Sequence, residues 1–125
     1  MSDKLIISNK LIAEYMGHTV TYIKETEEYG INGEPLSCYN YNTSWDMLIP
    51  VVEYIESLDL NDYYDENNFM GITVDIAKGN CFIFLELNYD PPYKITGKCD
   101  YDIPKITLIY SQVVKFIKWY NYLTQ

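Results

Sequence analysis

The feature that most constrains the fold is a run of alternating apolar residues from 72 to 87, which a Gly-Asn step interrupts at 79–80. An alternation with a period of two predicts β-strands, and a glycine-containing step between two such runs predicts a tight hairpin turn. A two-residue turn at 79–80 pairs Lys78 with Cys81. This register places six aliphatic side chains on one face, which we expect to face the core: Ile72, Val74, Ile76, Ile83, Leu85 and Leu87.

The opposite face of this hairpin carries two aromatic and two acidic side chains. Phe82 and Phe84 make that face largely apolar too, so we expect another layer of the fold to cover it. Asp75 and Glu86 become diagonal neighbours in this register, within reach of acting as an acid–base pair. Because nothing else in the chain supplies the cleft of a glycosidase-like enzyme, an exposed rim of the sheet is favoured and a hydrolytic enzyme is the lesser alternative.

Helical spacing and turn residues define the remaining elements. A first helix is predicted to end at Met16 or Gly17, because glycine favours a left-handed C-cap. Strands are predicted at 19–23 and 36–41, on either side of an acidic loop. A capping box formed by Thr43 and Asp46 begins the middle helix. The last helix is expected to bury one apolar stripe: Ile109, Val113, Phe116, Ile117 and Tyr120.

The element order α-β-β-α-β-β-α predicts one α+β domain spanning residues 1–125, an α/β/α sandwich with a mainly antiparallel sheet. The N-terminus lacks the apolar core of a signal peptide, and the longest late uncharged stretch, 106–114, is too short to span a membrane. Three widely spaced cysteines and a single histidine predict reduced thiols, a cytoplasmic location and no metal site or cofactor. The cysteines are Cys38, Cys81 and Cys99.

The charge of the chain restricts the classes of molecule that we expect it to bind. Eighteen acidic and nine basic residues give a net charge of −9, and all nine basic residues are lysines. Generic nucleic-acid binding is disfavoured, because it depends on clustered basic side chains that release counterions from phosphates. Without arginine there is no bidentate fork for phosphate or carboxylate, so any anion site must use lysines or backbone amides.

The segment from Asn88 to Pro104 is predicted to be a long Pro-containing loop that is rich in tyrosine and lysine. Loops of this length are uncommon unless they bind something or are disordered. Tyrosines can stack on a base and lysines can meet phosphates, so the segment is a candidate site for a nucleotide-like ligand, with an ordinary surface loop as the alternative. The candidate ligand-binding residues are Tyr89, Tyr93, Lys94, Lys98, Tyr101 and Lys105.

Three stretches of the chain resemble the phage ABA sandwich domain, a group of small proteins of phages and prophages, especially of Bacteroides-like hosts. They are LIAEYMG at 11–17, YNTSWDMLIPVVEYI at 41–55 and VVKFIKWYN at 113–121. The resemblance implies an α/β/α sandwich and assigns no catalytic residues. In that setting we predict a non-enzymatic accessory protein of the bacterial host cytoplasm, a host-defence antagonist that sequesters a nucleotide-like ligand.

The alternative function uses the negative charge itself. A small acidic scaffold could act as an inhibitor of a host protein, or imitate the nucleic acid which that protein binds. The candidate surface comprises Glu25, Glu27, Glu28, Asp59, Asp62, Asp65 and Glu66. The tyrosine-rich surface also favours self-association, so a homo-oligomer is a further expectation.

Overall fold

The computed structural model describes residues 2–65 and 67–125, which form three α-helices and two three-stranded antiparallel sheets. The elements in chain order are α1 (Asp3–Tyr15), β1 (Thr21–Ile23), β2 (Glu28–Ile31), β3 (Glu34–Pro35), a 3₁₀ turn (Leu36–Cys38), α2 (Trp45–Glu56), a second 3₁₀ turn (Asn61–Tyr63), β4 (Phe69–Ala77), β5 (Asn80–Leu87), β6 (Tyr93–Cys99) and α3 (Lys105–Thr124). The predicted class, an α+β sandwich with antiparallel strands, is confirmed, although the strands form two sheets where one was predicted.

The first sheet has the order β1-β2-β3, and its third strand replaces the strand predicted at 36–41. Asn32 and Gly33 both have positive φ, 52° and 83°, and they join β2 to β3 in a two-residue hairpin in which Ile31 pairs with Glu34. Such a turn returns the chain at once, so β2 and β3 both form within the segment predicted to be a loop. The strand predicted at 36–41 is therefore wrong, and the strand that forms after the turn is β3. It ends at Pro35, which cannot donate a backbone hydrogen bond, and the 3₁₀ turn follows.

The second sheet has the order β4-β5-β6, and its first hairpin differs from the predicted register. Ala77 pairs with Asn80, so the turn is at 78–79 and Gly79 takes the positive φ of 75°. The predicted turn at 79–80 is wrong by one residue. Each cross-strand partner therefore shifts by two positions, and because side chains alternate, the predicted inner face is preserved.

This register separates the two acidic residues that were expected to form an acid–base pair. Asp75 lies opposite Phe82, whereas Glu86 lies opposite Gly71. Four strand residues correspond to roughly 13 Å along the sheet, which is beyond the reach of a shared proton. The expected pairing of Asp75 and Glu86 is therefore wrong.

The loop predicted from Asn88 to Pro104 contains a strand. β6 pairs with β5 along its length, with Phe82 opposite Gly97 and Ile83 opposite Thr96, and a bulge follows at Ile95. Thr96 is buried on the inner face, where its hydroxyl lies in hydrogen-bond contact with Oε1 of Gln112 on α3. The loop prediction is wrong because β6 is a sheet edge, and its glycine and lysines are typical of loops.

The core lies between the inner face of the second sheet and the helices α2 and α3, with α1 packed beside α3. The predicted stripe of α3 is buried at four of its five positions, and Tyr120 is partly buried. Thr73, Asp75 and Ala77 are exposed, so the outer face of the sheet is more open than predicted. The predicted capping box is also wrong. The N-cap residue of α2 is Ser44, whose side chain forms no capping hydrogen bond, and the Thr43 hydroxyl accepts a hydrogen bond from Asn40 instead.

None of the helices in the described part of the chain combines the length and the apolar character needed to cross a bilayer.

Candidate functional site

The structure does not bring the six predicted ligand-binding residues together. Tyr89 precedes β6 and Tyr93 begins it, whereas Tyr101 and Lys105 follow its far end. The seven residues of β6 span roughly 20 Å. Tyr89 and Tyr101 therefore cannot stack on the same base.

The lysines of this set are divided as well. Lys94 lies opposite Phe84 on the outer face, with its Nζ 5.6 Å from the centroid of the Phe82 ring. Lys98 lies opposite Cys81 and forms an ion pair with Asp100 at 3.6 Å. The two ammonium groups therefore sit on different faces of the sheet.

Two of the six residues do share a small cleft. Tyr101 and Lys105 line a space of about 240 Å³ together with Lys78 and Gly79. The Tyr101 ring covers Gly79 so closely that an added β-carbon would stand 2.2 Å from its Cδ1 atom. Ring and turn thus fill much of the region where a base would have to stack.

A larger cleft, of about 870 Å³, lies where α1 faces α3, and we call it the α1–α3 cleft. Its apolar wall includes Leu5 and Val114. Its polar lining includes three lysines, two hydroxyl residues and an amide: Lys4, Lys115, Lys118, Ser8, Thr107 and Asn42. More lysines line this cleft than line the small cleft at Tyr101, which has two.

Helical geometry accounts for this lining. Thr107, Ser111, Lys115 and Lys118 recur at intervals of three and four residues, so they follow one side of α3. Lys4 and Ser8 are four residues apart and follow one side of α1. These polar rows adjoin the buried stripes of their helices, and the packing of α1 beside α3 makes them face a common space.

The floor of the α1–α3 cleft is a hydrogen-bonded network that joins both helices to the segment before α2. The Tyr110 hydroxyl donates to Oδ1 of Asn9 at 2.8 Å, and Nδ2 of Asn9 donates to Oδ1 of Asn42 at 3.2 Å. Asn9 is fully buried. Burial raises the pKa of Tyr110, and a hydrogen bond with Ser8 opposes that shift. The phenol therefore stays neutral at ordinary pH and holds the floor in place.

The charge at the α1–α3 cleft is opposite in sign to the net charge of the chain. The chain carries a net charge of −9, yet none of the described residues that line the α1–α3 cleft is a carboxylate. Among residues 2–65 and 67–125, Lys4, Lys115 and Lys118 form no ion pair with a carboxylate. Three uncompensated ammonium groups beside hydroxyls and apolar carbon can bind an anion that also has an apolar part.

The described residues that line the α1–α3 cleft are lysines, hydroxyl residues, an amide and apolar residues. The one histidine of the chain, His18, lies against Tyr39, with ring centroids 5.4 Å apart, and it does not line the cleft. Within the ranges described, no trio of histidine, cysteine or acidic side chains is placed to hold a metal ion. The lining offers ammonium charges and hydrogen-bonding groups to a ligand.

The acidic surface of the alternative function lies in two segments of the chain. Glu25 and Glu27 belong to the turn between β1 and β2, and Glu28 begins β2. Asp59, Asp62 and Asp65 belong to the connection between α2 and β4. Glu66, the seventh candidate, lies outside the described residues.

Sequence reasoning missed the α1–α3 cleft because it used the helices for their apolar stripes alone. The polar row of α3 was a usable signal, because its hydroxyls and lysines recur at helical spacing. Lys4 could not be added from sequence, because its placement depends on how α1 packs on α3.

Comparison with known proteins gives no match to this chain, whether among protein-family models, curated protein sequences or solved structures. No residue role therefore comes from a relative.

Proposed function

We propose that this protein binds a small anionic ligand of the nucleotide type in the α1–α3 cleft, and that it sequesters the ligand without converting it. The observation that carries the proposal is a set of three lysines on a chain of net charge −9. Among residues 2–65 and 67–125, no carboxylate pairs with these lysines and none lines the cleft. An acidic protein that leaves three ammonium groups uncompensated in one concave space retains an attraction for anions there.

The shape of the cleft supports a ligand larger than a simple ion. Its volume of about 870 Å³ lies within the range of roughly 300–1,000 Å³ that is usual for small-molecule sites. The apolar wall at Leu5 and Val114 offers a surface to a base or sugar, and Thr107 offers a hydroxyl. Lysines give point charges without the fork geometry of arginine, which suits phosphates that need charge more than bidentate contacts.

The buried network beneath the cleft supports binding by a preformed site. Asn9 on α1 and Tyr110 on α3 are buried and hydrogen-bonded to each other, and Asn42 links them to the segment before α2. Groups that are already held in place lose less conformational entropy when a ligand binds. The resemblance to phage ABA sandwich proteins adds a setting to this proposal, in which the ligand is a signal of host defence in the bacterial cytoplasm.

Isothermal titration calorimetry with AMP, cyclic di-AMP and inorganic phosphate tests the proposal. We expect one of the two nucleotides to bind more tightly than phosphate, with an affinity that falls as salt is added. The Lys115→Ala/Lys118→Ala variant should bind at least tenfold more weakly, which corresponds to about 1.4 kcal/mol. Chromatography of the released ligand should recover it unchanged.

The matched control is the Lys94→Ala/Lys98→Ala variant, which removes the same charge from β6. We expect it to bind like the wild type. If this control loses affinity and the cleft variant does not, the ligand binds at the lysines first predicted, and the proposal for the α1–α3 cleft is overturned. If the wild type binds neither nucleotide, the proposal is overturned as well.

A further inference from the structure

We propose that a second groove, on the other side of α1, is a docking site for a basic polypeptide segment of a partner protein, with lysine or arginine side chains between apolar ones. We call it the acidic groove; it has a volume of about 610 Å³ and lies where α1 faces the first sheet. The residues that carry the inference are Asp3, Ile7, Tyr22, Glu27, Glu28 and Tyr29.

Exposed apolar side chains line the acidic groove. Ile7 is 65% exposed and Tyr22 is 55% exposed, and both line the groove. Leu36 is buried and lies deeper in the wall. Contiguous exposed apolar surface bordered by charged groups is typical of interaction sites.

The charges at this groove indicate that the partner is positively charged. Asp3, Glu27 and Glu28 line it, and no lysine does. Within the described residues these carboxylates form no ion pair. The lining is thus complementary to cationic side chains, and the net charge of −9 attracts a basic partner over a longer range.

The aromatic side chains favour the same occupant. Tyr29 already holds a cation, because Nζ of Lys10 lies 5.3 Å from the centroid of its ring. Tyr22 packs edge-to-face against Tyr29, with centroids 5.4 Å apart, and keeps more than half of its surface exposed. An exposed tyrosine beside carboxylates can stack on a guanidinium or ammonium group.

A polypeptide fits this groove better than a small cation. A lone ammonium ion would satisfy the carboxylates but would leave the exposed side chain of Ile7 in water. A segment that alternates basic and apolar side chains covers both kinds of surface at once. A second copy of this chain is disfavoured as the occupant, because two chains of net charge −9 repel each other.

Fluorescence polarisation with a labelled heptapeptide that alternates arginine and leucine tests the inference. We expect saturable one-site binding, and at least tenfold weaker binding by the Asp3→Asn/Glu27→Gln/Glu28→Gln variant. Ile7→Ser should also weaken binding by several-fold. A peptide with glutamine in place of arginine should not bind.

The matched control is Asp59→Asn/Asp62→Asn/Asp65→Asn, which changes the net charge by the same amount on another segment. It should change the affinity less than twofold. Equal losses in both variants would mean nonspecific attraction to a negative protein, and they would overturn the inference. Sedimentation velocity of the free protein tests whether a second copy of this chain occupies the groove. A dimer that Ile7→Ser abolishes would show this and overturn the inference.

Nucleotide titrations of the groove variants separate this inference from the proposed function. Because its carboxylates do not line the α1–α3 cleft, the Asp3→Asn/Glu27→Gln/Glu28→Gln variant should not bind nucleotide more weakly than the wild type. Either proposal can therefore fail while the other holds.

Discussion

Replacement of Gly97 by alanine is expected to destabilise the second sheet through a single side chain. Gly97 lies opposite Phe82, and the Phe82 ring covers it on the outer face. A β-carbon at Gly97 would stand 2.1 Å from Cδ1 and 2.9 Å from Cε1 of that ring, whereas ordinary contacts begin at 3.4 Å. The ring would have to leave its position above β6, and with it the contact to Lys94.

The free energy of this change follows from three contributions. Overpacking costs about 1–3 kcal/mol, and loss of an exposed cation–π contact costs about 0.5–1 kcal/mol. Alanine gains about 0.5–1 kcal/mol over glycine within a strand, because it restricts the unfolded chain. The net expectation is a loss of roughly 1–2 kcal/mol, since the ring can relieve part of the overlap by rotating toward solvent.

Urea unfolding followed by circular dichroism measures the effect, and a double-mutant cycle with Phe82→Ala assigns it to the ring. Without the Phe82 ring nothing is left to overlap, so Gly97→Ala in that background should be neutral or stabilising. A Gly97→Ala loss of equal size in both backgrounds would refute the reasoning. So would a Gly97→Ala variant as stable as the wild type.

Three further outcomes can be checked. Glu27 has a φ of 55° and is the one described residue with positive φ that is neither glycine nor asparagine. Glu27→Gly should therefore leave the free energy of unfolding unchanged or raise it by up to about 1 kcal/mol, which thermal unfolding measures. The same variant should bind the basic peptide more weakly. Burial and, to a lesser degree, the nearby charge of Asp75 raise the pKa of the Cys81 thiol to about 11. After treatment with a thiol reagent at pH 8, mass spectrometry should therefore find Cys38 and Cys99 labelled, and Cys81 labelled only after unfolding. Burial and, to a lesser degree, Tyr39 raise the pKa of Tyr41 to about 12, whereas an unfolded tyrosine ionises near 10.0. The urea midpoint should therefore fall as the pH rises from 10 to 12, after a smaller fall from pH 9 that the Cys81 thiol causes in the same way.

The parts of the fold that were predicted correctly depend on local periodicity. Ile109, Val113, Phe116 and Ile117 are all 1% exposed or less, as the spacing in α3 predicts. A helix shows its buried face within one element, because neighbouring side chains on that face are only three or four residues apart. No knowledge of the packing partner is needed to identify such a face.

Register and edge strands could not be derived in this way. Turns at 79–80 and at 78–79 both use Gly79, and its φ of 75° occurs at the second position of the turn. The choice between them depends on contacts outside the turn, such as the Tyr101 ring over Gly79. β6 was missed for a related reason, because Gly97 is needed under the Phe82 ring and yet reads as a loop residue in the sequence.

The candidate site was missed because it is assembled from distant parts of the chain. Lys4 and Lys118 are 114 positions apart in the sequence and line the same cleft. Sequence reasoning joined lysines that are near each other along the chain, such as Lys94 and Lys98, which the sheet then places on opposite faces. The bulge at Ile95 causes this separation, because without it two residues four positions apart on a strand would share a face. Two packed helices, in contrast, bring distant side chains together.

Helix α1 explains how both clefts can exist on one small acidic protein. Successive residues of a helix point about 100° apart, so Asp3 lines the acidic groove while its neighbour Lys4 lines the α1–α3 cleft. Ile7 borders both spaces and forms the ridge between them. Because charges of opposite sign lie on opposite sides of this ridge, each cleft repels the ligand of the other. An anionic ligand and a basic polypeptide can therefore bind to the same molecule without competing for one site.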